Sequence, residues 1–362
     1  MQTFHHLERH LGMVPAPTAA ALAEVSTGRG REDAFHGRHP QVLEGLMEIA
    51  RIQSSESSNA IEQITAPANR VAELVQGKTT PQNRPEEEIA GYRKVLDTIH
   101  AGAEHIPVKT SIVLQFHRDL YSFTATPGGH LKNTQNEVAR FDKDGKKLEV
   151  IFQGVSPFET PAAMDELHER FVEAVKDGSH APLLLAGAYV FDFLMIHPFN
   201  DGNGRLSRLL TLLLLYHAGH EIGRFISLEK LIEESKETYY ESLERSTAGW
   251  EKGEHDLWPW LNYFLGILNA AYKEFEARAG ELTGGRGSKA MRIKQFVQSR
   301  ASDAFTFDDV QRALPDVSAD HIRTELRKLR DAGIVKSPGR GRKEWRRLGI
   351  EAAGAARTRS GR

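Results

Sequence analysis

The stretch His197-Pro198-Phe199-Asn200-Asp201-Gly202-Asn203-Gly204-Arg205-Leu206-Ser207-Arg208 decides how the rest of the chain is read. An apolar segment, Leu183 to Ile196, precedes it with helical spacing and Asp192 as its single acid. The run Leu209-Leu210-Thr211-Leu212-Leu213-Leu214-Leu215 follows it, apolar on every side. A helix apolar all round is normally buried, so the dozen polar, Gly-rich residues form a loop and helix start held between two core helices. Gly202, Asn203 and Gly204 leave backbone N–H groups free at the N-terminus of the second helix, expected over 203–217. Unpaired donors and the positive end of a helix dipole make an anion site. Arg205 and Arg208 are three apart and are expected to share a helix face that reaches phosphate oxygens. Asp201 offers a hard oxygen ligand for Mg²⁺, and His197 is the nearby group suited to general-base work.

The pattern His-Pro-Phe-x-Asp-Gly-Asn-Gly-Arg-x-x-Arg resembles the signature of Fic (Fido) domain proteins. The resemblance implies a mainly α fold, a Fic-type helical bundle with a β-hairpin flap, and AMP transfer from ATP to a target-protein hydroxyl. It assigns the base to His197 and Mg²⁺ to Asp201. The nucleotide phosphates fall to Gly202, Asn203, Gly204, Arg205, Leu206, Ser207 and Arg208. Kinase-like variants of the fold carry a Lys where Gly204 and Arg205 stand, so the run here favours AMP over phosphate transfer. No Walker A run occurs, so a P-loop NTPase is not supported.

Outward on the N-terminal side lies Ser54-Ser55-Glu56-Ser57-Ser58-Asn59-Ala60-Ile61-Glu62-Gln63-Ile64. Alone it reads as a Ser-rich loop entering a helix. Beside the signature, residues 54–64 resemble the family's inhibitory helix, Ser/Thr-x-x-x-Glu-Gly/Asn. Ser58 and Glu62 hold the fixed positions and Gln63 departs from the last. The resemblance implies that Glu62 faces Arg208 and obstructs the γ-phosphate. Before this stretch, 40–52 reads as a helix and residues 1–32 as an extended lead-in with one short helix. After it, 84–104 reads as a charged, surface-facing helix, and 107–122 as another.

Residues 136–141 and 148–152 alternate around an Asp-Gly turn, which predicts a β-hairpin. In Fic proteins such a hairpin, here 129–152, is the flap that pairs with the target backbone. Lys132, Asn133 and Thr134 are candidate target or phosphate contacts. A helix over 161–177 precedes the core pair. Between Leu228 and Glu244, two short helices carry Tyr240, first choice for the adenine contact, and Tyr239, second. Trp258 opens a long helix to about Ala279.

The chain has 362 residues, no cysteine and a net charge of −2. Disulfide and thiolate chemistry are excluded. No run of 18 apolar residues suggests a membrane span, and a cytoplasmic protein is expected. The charge is divided unevenly. Residues 286–362 carry 19 Lys and Arg against 9 Asp and Glu, a net of +10, and the first 285 carry 28 against 40, a net of −12. Beyond a Gly-rich linker at 284–287, residues 288–350 read as a winged helix-turn-helix. Arg323, Arg327, Lys328 and Arg330 lie on its third helix, and a basic wing follows, so residues 318–347 suit DNA. Packing against the acidic body or a second subunit of a homodimer is the competing reading. Residues 351–362 read as disordered.

The expected organisation is an N-terminal helical region (1–110), a catalytic core (111–283), the winged helix (288–350) and a tail. The expected partners are ATP, Mg²⁺ and a Ser, Thr or Tyr hydroxyl of a protein. Two alternatives stay open: a DNA-binding regulator whose Fic site senses nucleotide, and an enzyme that removes AMP.

Overall fold

The computed structural model describes residues 1–36, 40–141, 147–283, 288–297, 304–315, 317–336 and 344–347. Four sequence expectations fall outside them: the hairpin's Asp-Gly turn, the 284–287 linker, the basic wing at 338–343 and the 351–362 tail. The chain is mainly helical. In order it forms α1 (Gln2–His5), α2 (Leu7–Leu11), α3 (Ala16–His36), α4 (Pro40–Ile61), α5 (Ala68–Val75), α6 (Arg84–Gly102) and α7 (Thr110–Leu120). The strands β1 (Glu137–Phe141) and β2 (Lys147–Gln153) follow, then α8 (Thr160–Asp177), α9 (Pro182–Ile196), α10 (Asn203–His217), α11 (Leu228–Glu234), α12 (Lys236–Thr247) and α13 (Trp258–Thr283). The last elements are α14 (Ser288–Gln295), β3 (Ala304–Thr306), α15 (Phe307–Ala313), α16 (Ala319–Asp331), β4 (Val335–Lys336) and β5 (Glu344–Arg347).

The apolar flanks of the opening stretch become α9 and α10, which pack on each other at the centre of the body. Every residue of α9 from Leu183 to Ile196 is buried. Its one acid, Asp192, is paired: Thr3 Oγ1 and Trp250 Nε1 each donate to Oδ1 at 2.7 Å. Burial raises the Asp192 pKa, which these donors partly offset. An unpaired carboxylate there would carry a large desolvation cost, so the pairing fixes α1 against α9.

The N-terminal lead-in is not extended. Residues 16–36 form α3, which packs along α13, and Met1, Phe4, Leu11 and Val25 enter the main core. Two glycines inside α3 lower its intrinsic helicity, but one has a packing reason. A Cβ on Gly28 would lie 2.6 Å from the Tyr272 ring, so glycine lets α13 approach.

The serine stretch is likewise no loop. Ser54 to Ile61 complete α4, and Ser54, Ser55, Ser57 and Ser58 are buried. Ser54 donates to Glu229 on α11 at 2.7 Å, and Tyr92 on α6 donates to the same carboxylate at 2.8 Å. Helix α6 is not surface-facing either. Its Tyr92, Val95, Leu96 and Ile99 are fully buried, and Glu88 lies buried with them.

The hairpin forms as the alternation predicts, with β1 antiparallel to β2 and two irregularities in register. A second apolar cluster, separate from the main core, gathers Ile293, Val297, Val310, Ile322, Leu326 and Val335 from α14 to β4. There β3, β5 and β4 form one antiparallel sheet, in that order. The strand at 304–306 had no counterpart in the sequence reading. Among the described residues, no helix is long and apolar enough to cross a membrane.

Candidate active site

The loop between α9 and α10 is built from two left-handed residues. His197 ends α9 at φ +52°, and Gly202 precedes α10 at φ +83°. Pro198 cannot continue a helix, and the positive φ of His197 turns the chain away from the α9 axis. Asn203 then clasps the loop. Its Oδ1 accepts from Phe199 N–H at 2.9 Å and its Nδ2 donates to Phe199 C=O at 2.7 Å.

The segment leading into β1 holds the loop from the other side. Lys132 Nζ donates to Ile196 C=O at 3.0 Å, and Asn136 Nδ2 donates to the carbonyls of His197 and Phe199 at 3.1 and 2.8 Å. His117 of α7 stacks on Phe199 with ring centroids 3.8 Å apart, and its Nε2 donates to Asp201 C=O at 3.1 Å. Burial lowers the His117 pKa to about 4, so it serves as a neutral hydrogen-bonding wedge.

His197 lies in this frame with its Nδ1 3.2 Å from Leu194 C=O. A ring nitrogen facing a carbonyl carries the proton, which leaves Nε2 as the basic atom. Desolvation lowers the His197 pKa to about 4, outweighing the raising influence of Leu194 C=O, Glu62 and Asp201. The imidazole is therefore neutral at physiological pH. Phe152 of β2 stands edge-on to it, 5.9 Å between centroids.

At the start of α10 the first intrahelical bond runs from Leu206 N–H to Gly202 C=O. The N–H groups of Asn203, Gly204 and Arg205 thus have no intrahelical acceptor. A Cβ on Gly204 would meet Glu62 Oε1 at 2.4 Å. A carboxylate from the residue directly after α4 therefore sits against the positive end of α10, where an anion is favoured. Glu62 Oε1 also accepts from Arg208 Nη2 at 2.8 Å. The same guanidinium holds Ser58, by Nε to its hydroxyl and again by Nη2 to its carbonyl, both at 2.8 Å. Burial alone would lower the Arg208 pKa; the Glu62 charge reverses that and the net shift is upward.

The two arginines do not share one task. Arg205 is 1% exposed and turns to α6, where it pairs with Glu88, while its Nη2 donates to Tyr121 Oη at 2.8 Å. The expectation of one common phosphate-reaching face fails because the neighbours differ: a buried acid meets Arg205, and the end of α4 meets Arg208. Leu206 is core and Ser207 Oγ donates to Gly204 C=O at 2.8 Å.

Asp201 is open. Its Oδ1 accepts from Gly202 N–H at 2.7 Å, its side chain is 65% exposed, and Arg205 Nη2 lies 3.5 Å from Oδ2. Among the described residues no cluster of three or more His, Cys, Asp or Glu could hold a metal. One accessible carboxylate beside the open, anion-favouring start of α10 is a donor that could hold Mg²⁺.

Of the three residues expected to contact target or phosphate, Lys132 is already engaged. It is 3% exposed, bound to the loop and to Asn136 Oδ1 at 2.8 Å, and burial lowers its pKa to about 8. Lys132 is therefore a support of the His197 loop rather than a free target contact. Asn133 and Thr134 are exposed and each lies 3.2 Å from the Asn200 amide. Tyr239 is buried edge-on against Trp260 at 5.9 Å, whereas Tyr240 is 42% exposed.

Glu88, His117, Tyr121 and Asn136 were missed as site residues. Glu88 carried a readable signal: it falls on the same helical stripe as Tyr92, Val95 and Ile99, and an acid on an apolar stripe needs a buried cation.

Residues 107–215 match the family model described as Fic/DOC family. The chain is 25% identical over 256 residues to the protein adenylyltransferase fic-1 of Caenorhabditis elegans, covering 68% of this chain and 45% of that protein. The chain thus spans less than half the length of that relative. A Fido domain-containing protein of Dictyostelium discoideum is 29% identical over 132 residues, covering 35% of this chain and 85% of its own length. A crystal structure of a Fic family protein from Desulfovibrio desulfuricans superposes with a TM-score of 0.60 at 19% identity, over 93% of this chain and 97% of that one. At that identity the superposition speaks for the fold alone. Over residues 107–215, this chain carries a Fic domain.

Proposed function

We propose that this chain transfers AMP from ATP to a Ser, Thr or Tyr hydroxyl of a protein, and that Glu62 restrains the reaction. The observation that carries this reading is the Glu62 carboxylate, seated between Arg208 and the N-terminus of α10. A carboxylate occupying a site suited to phosphate is a stand-in for the group that belongs there. The adenylyltransferase name of the Caenorhabditis relative supports AMP as the group transferred.

The triphosphate lies along the free N–H groups of Asn203, Gly204 and Arg205, with Arg208 taking the terminal phosphate once Glu62 leaves. Arg205 acts from beneath: held by Glu88 and Tyr121, it steadies Asp201 and the helix start. Asp201 would hold a Mg²⁺ ion, which when bound neutralises phosphate charge. His197 Nε2 accepts the proton of the target hydroxyl. The hydroxyl oxygen forms a bond to the α-phosphorus. The bridging bond to the β-phosphate breaks, and pyrophosphate leaves with the electron pair. Positioning and electrostatics supply most of the acceleration.

The test is label transfer from α-labelled ATP to protein, compared with γ-labelled ATP. Transfer of the α-label that vanishes in His197→Ala supports the reading; retained transfer in that variant removes His197 from the base role. The order of elements from α14 to β5 suits a winged helix-turn-helix, and DNA is its proposed partner. Three of the four α16 cations are paired with acids of their own element: Arg323 with Asp320, Lys328 with Glu325 and Arg330 with Asp331. Duplex binding that weakens steeply with salt and is lost on deleting 286–362 would support DNA over packing.

A further inference from the structure

The end of α4 carries a second device, separate from the Glu62–Arg208 pair. Ile64 N–H bonds to Asn59 C=O at 3.0 Å and Gln63 N–H to Ala60 C=O at 2.9 Å, around Gln63 at φ +63°. These two crossed bonds and the left-handed residue make a Schellman terminus, with Glu62 as the last helical-side residue. The motif satisfies the carbonyls of Asn59 and Ala60. It leaves the carbonyl of Ile61, at the negative end of the α4 dipole and directly before Glu62. Lys236, in the first turn of α12, donates its Nζ to that carbonyl at 2.5 Å. The same ammonium stands 5.9 Å from the centre of the Tyr240 ring, which adds a cation–π contact. A cation placed on the last carbonyls of a helix is favoured by both hydrogen bonding and the dipole.

We infer that Lys236 is a latch: it fastens the C-terminal end of α4 to α12 and thereby sets how firmly Glu62 is presented to Arg208. The left-handed backbone raises the value of such a latch. Gln63 occupies a conformation that glycine or asparagine adopts at less cost, so this helix end carries strain that an outside tie offsets. Ser54 pins α4 two turns earlier, at Glu229, and Arg208 grips Ser58. Beyond Ser58, Lys236 ties the backbone next to Glu62 to another helix. Lys236 is thus a positioning residue for the restraint, and the inference rests on the proposed inhibitory role of Glu62.

The experiment measures initial self-labelling from α-labelled ATP, with the native 362-residue chain, Lys236→Met, Lys236→Arg, Glu62→Gly and the Lys236→Met/Glu62→Gly pair. Methionine keeps the apolar stem and removes the donor. A charge-assisted hydrogen bond of this kind corresponds to a change on the order of ten-fold. Lys236→Met should therefore raise the rate about ten-fold, Lys236→Arg should restore most of the restraint, and Lys236→Met should add nothing once Glu62 is glycine. Amide hydrogen exchange across 59–64 should quicken in Lys236→Met and not in Lys236→Arg. A native rate in Lys236→Met beside a raised rate in Glu62→Gly overturns the latch and leaves the inhibitory reading standing. A fall in the double variant relative to Glu62→Gly overturns it too, because Lys236 would then serve the nucleotide. If Glu62→Gly leaves the rate unchanged, the inhibitory reading fails and exchange decides the latch alone: quickening upholds it, native exchange overturns it.

Discussion

Replacing Glu62 by glycine removes the carboxylate and leaves Arg208 gripping Ser58 through two hydrogen bonds. The size of the effect follows from where the pair sits. The Arg208 side chain is 3% exposed and that of Glu62 33%. A fully exposed pair is worth about 0–1 kcal/mol, and breaking a fully buried one costs about 3–5 kcal/mol. One partner here is enclosed and the other partly wet, so about 2 kcal/mol is the reasonable middle. At about 1.4 kcal/mol per decade, that corresponds to a rise of roughly 30-fold in transfer. Partial exposure also means partial screening, so the gap between native and variant should narrow in high salt. The assay is the initial rate of self-labelling from α-labelled ATP at two ionic strengths. Arg208→Ala should not reproduce the gain, because it removes a phosphate ligand with the restraint. A Glu62→Gly rate within two-fold of native would refute the argument: the pair would then be a structural contact with no hold on the chemistry.

Three other outcomes follow. With burial lowering the His197 pKa to about 4, the base form is present above that value and lost as pH falls through it. The transfer rate of Glu62→Gly, normalised to folded protein, should stay level from pH 8 to about pH 5. A half-maximal rate near the ordinary histidine value would place the imidazole in water. Gln63→Gly should relieve about 1 kcal/mol of left-handed strain and hold the inhibited helix end more firmly, lowering basal labelling about five-fold; an increase would contradict it. Glu88→Ala should leave the Arg205 guanidinium, 1% exposed, without its main counter-charge and destabilise the fold by about 3–5 kcal/mol in urea unfolding. A loss below about 1 kcal/mol would mean that Tyr121 and Asp201 suffice.

The helix–loop–helix around His197 was legible because its information is local: two apolar runs flank a polar, Gly-rich turn, and only burial of both flanks satisfies that pattern. The hairpin was legible for the same reason, from alternation. What escaped was set by partners distant in the chain. Helix α3 carries little amphipathic pattern, and its close approach to α13 needs Gly28 beside Tyr272, about 240 residues away. The serines before Glu62 read as a loop because serine competes for backbone hydrogen bonds; Glu229 and Arg208 supply the partners that keep them helical. Arg205 and Arg208 look equivalent by spacing, and only the placement of α6 and α4 separates them. Gln63 was read as a departure from a motif. Its positive φ gives the physical reason that glycine or asparagine suits the position.

The central claim is that this site moves AMP, with His197 as its base and Glu62 as its restraint. Intact-mass measurement tests it most directly, on Glu62→Gly protein incubated with ATP and Mg²⁺ beside a Glu62→Gly/His197→Ala control. The account predicts that the first protein gains the mass of AMP and that the control gains nothing. A gain equal to a phosphate, or an AMP gain that survives the loss of His197, would contradict it.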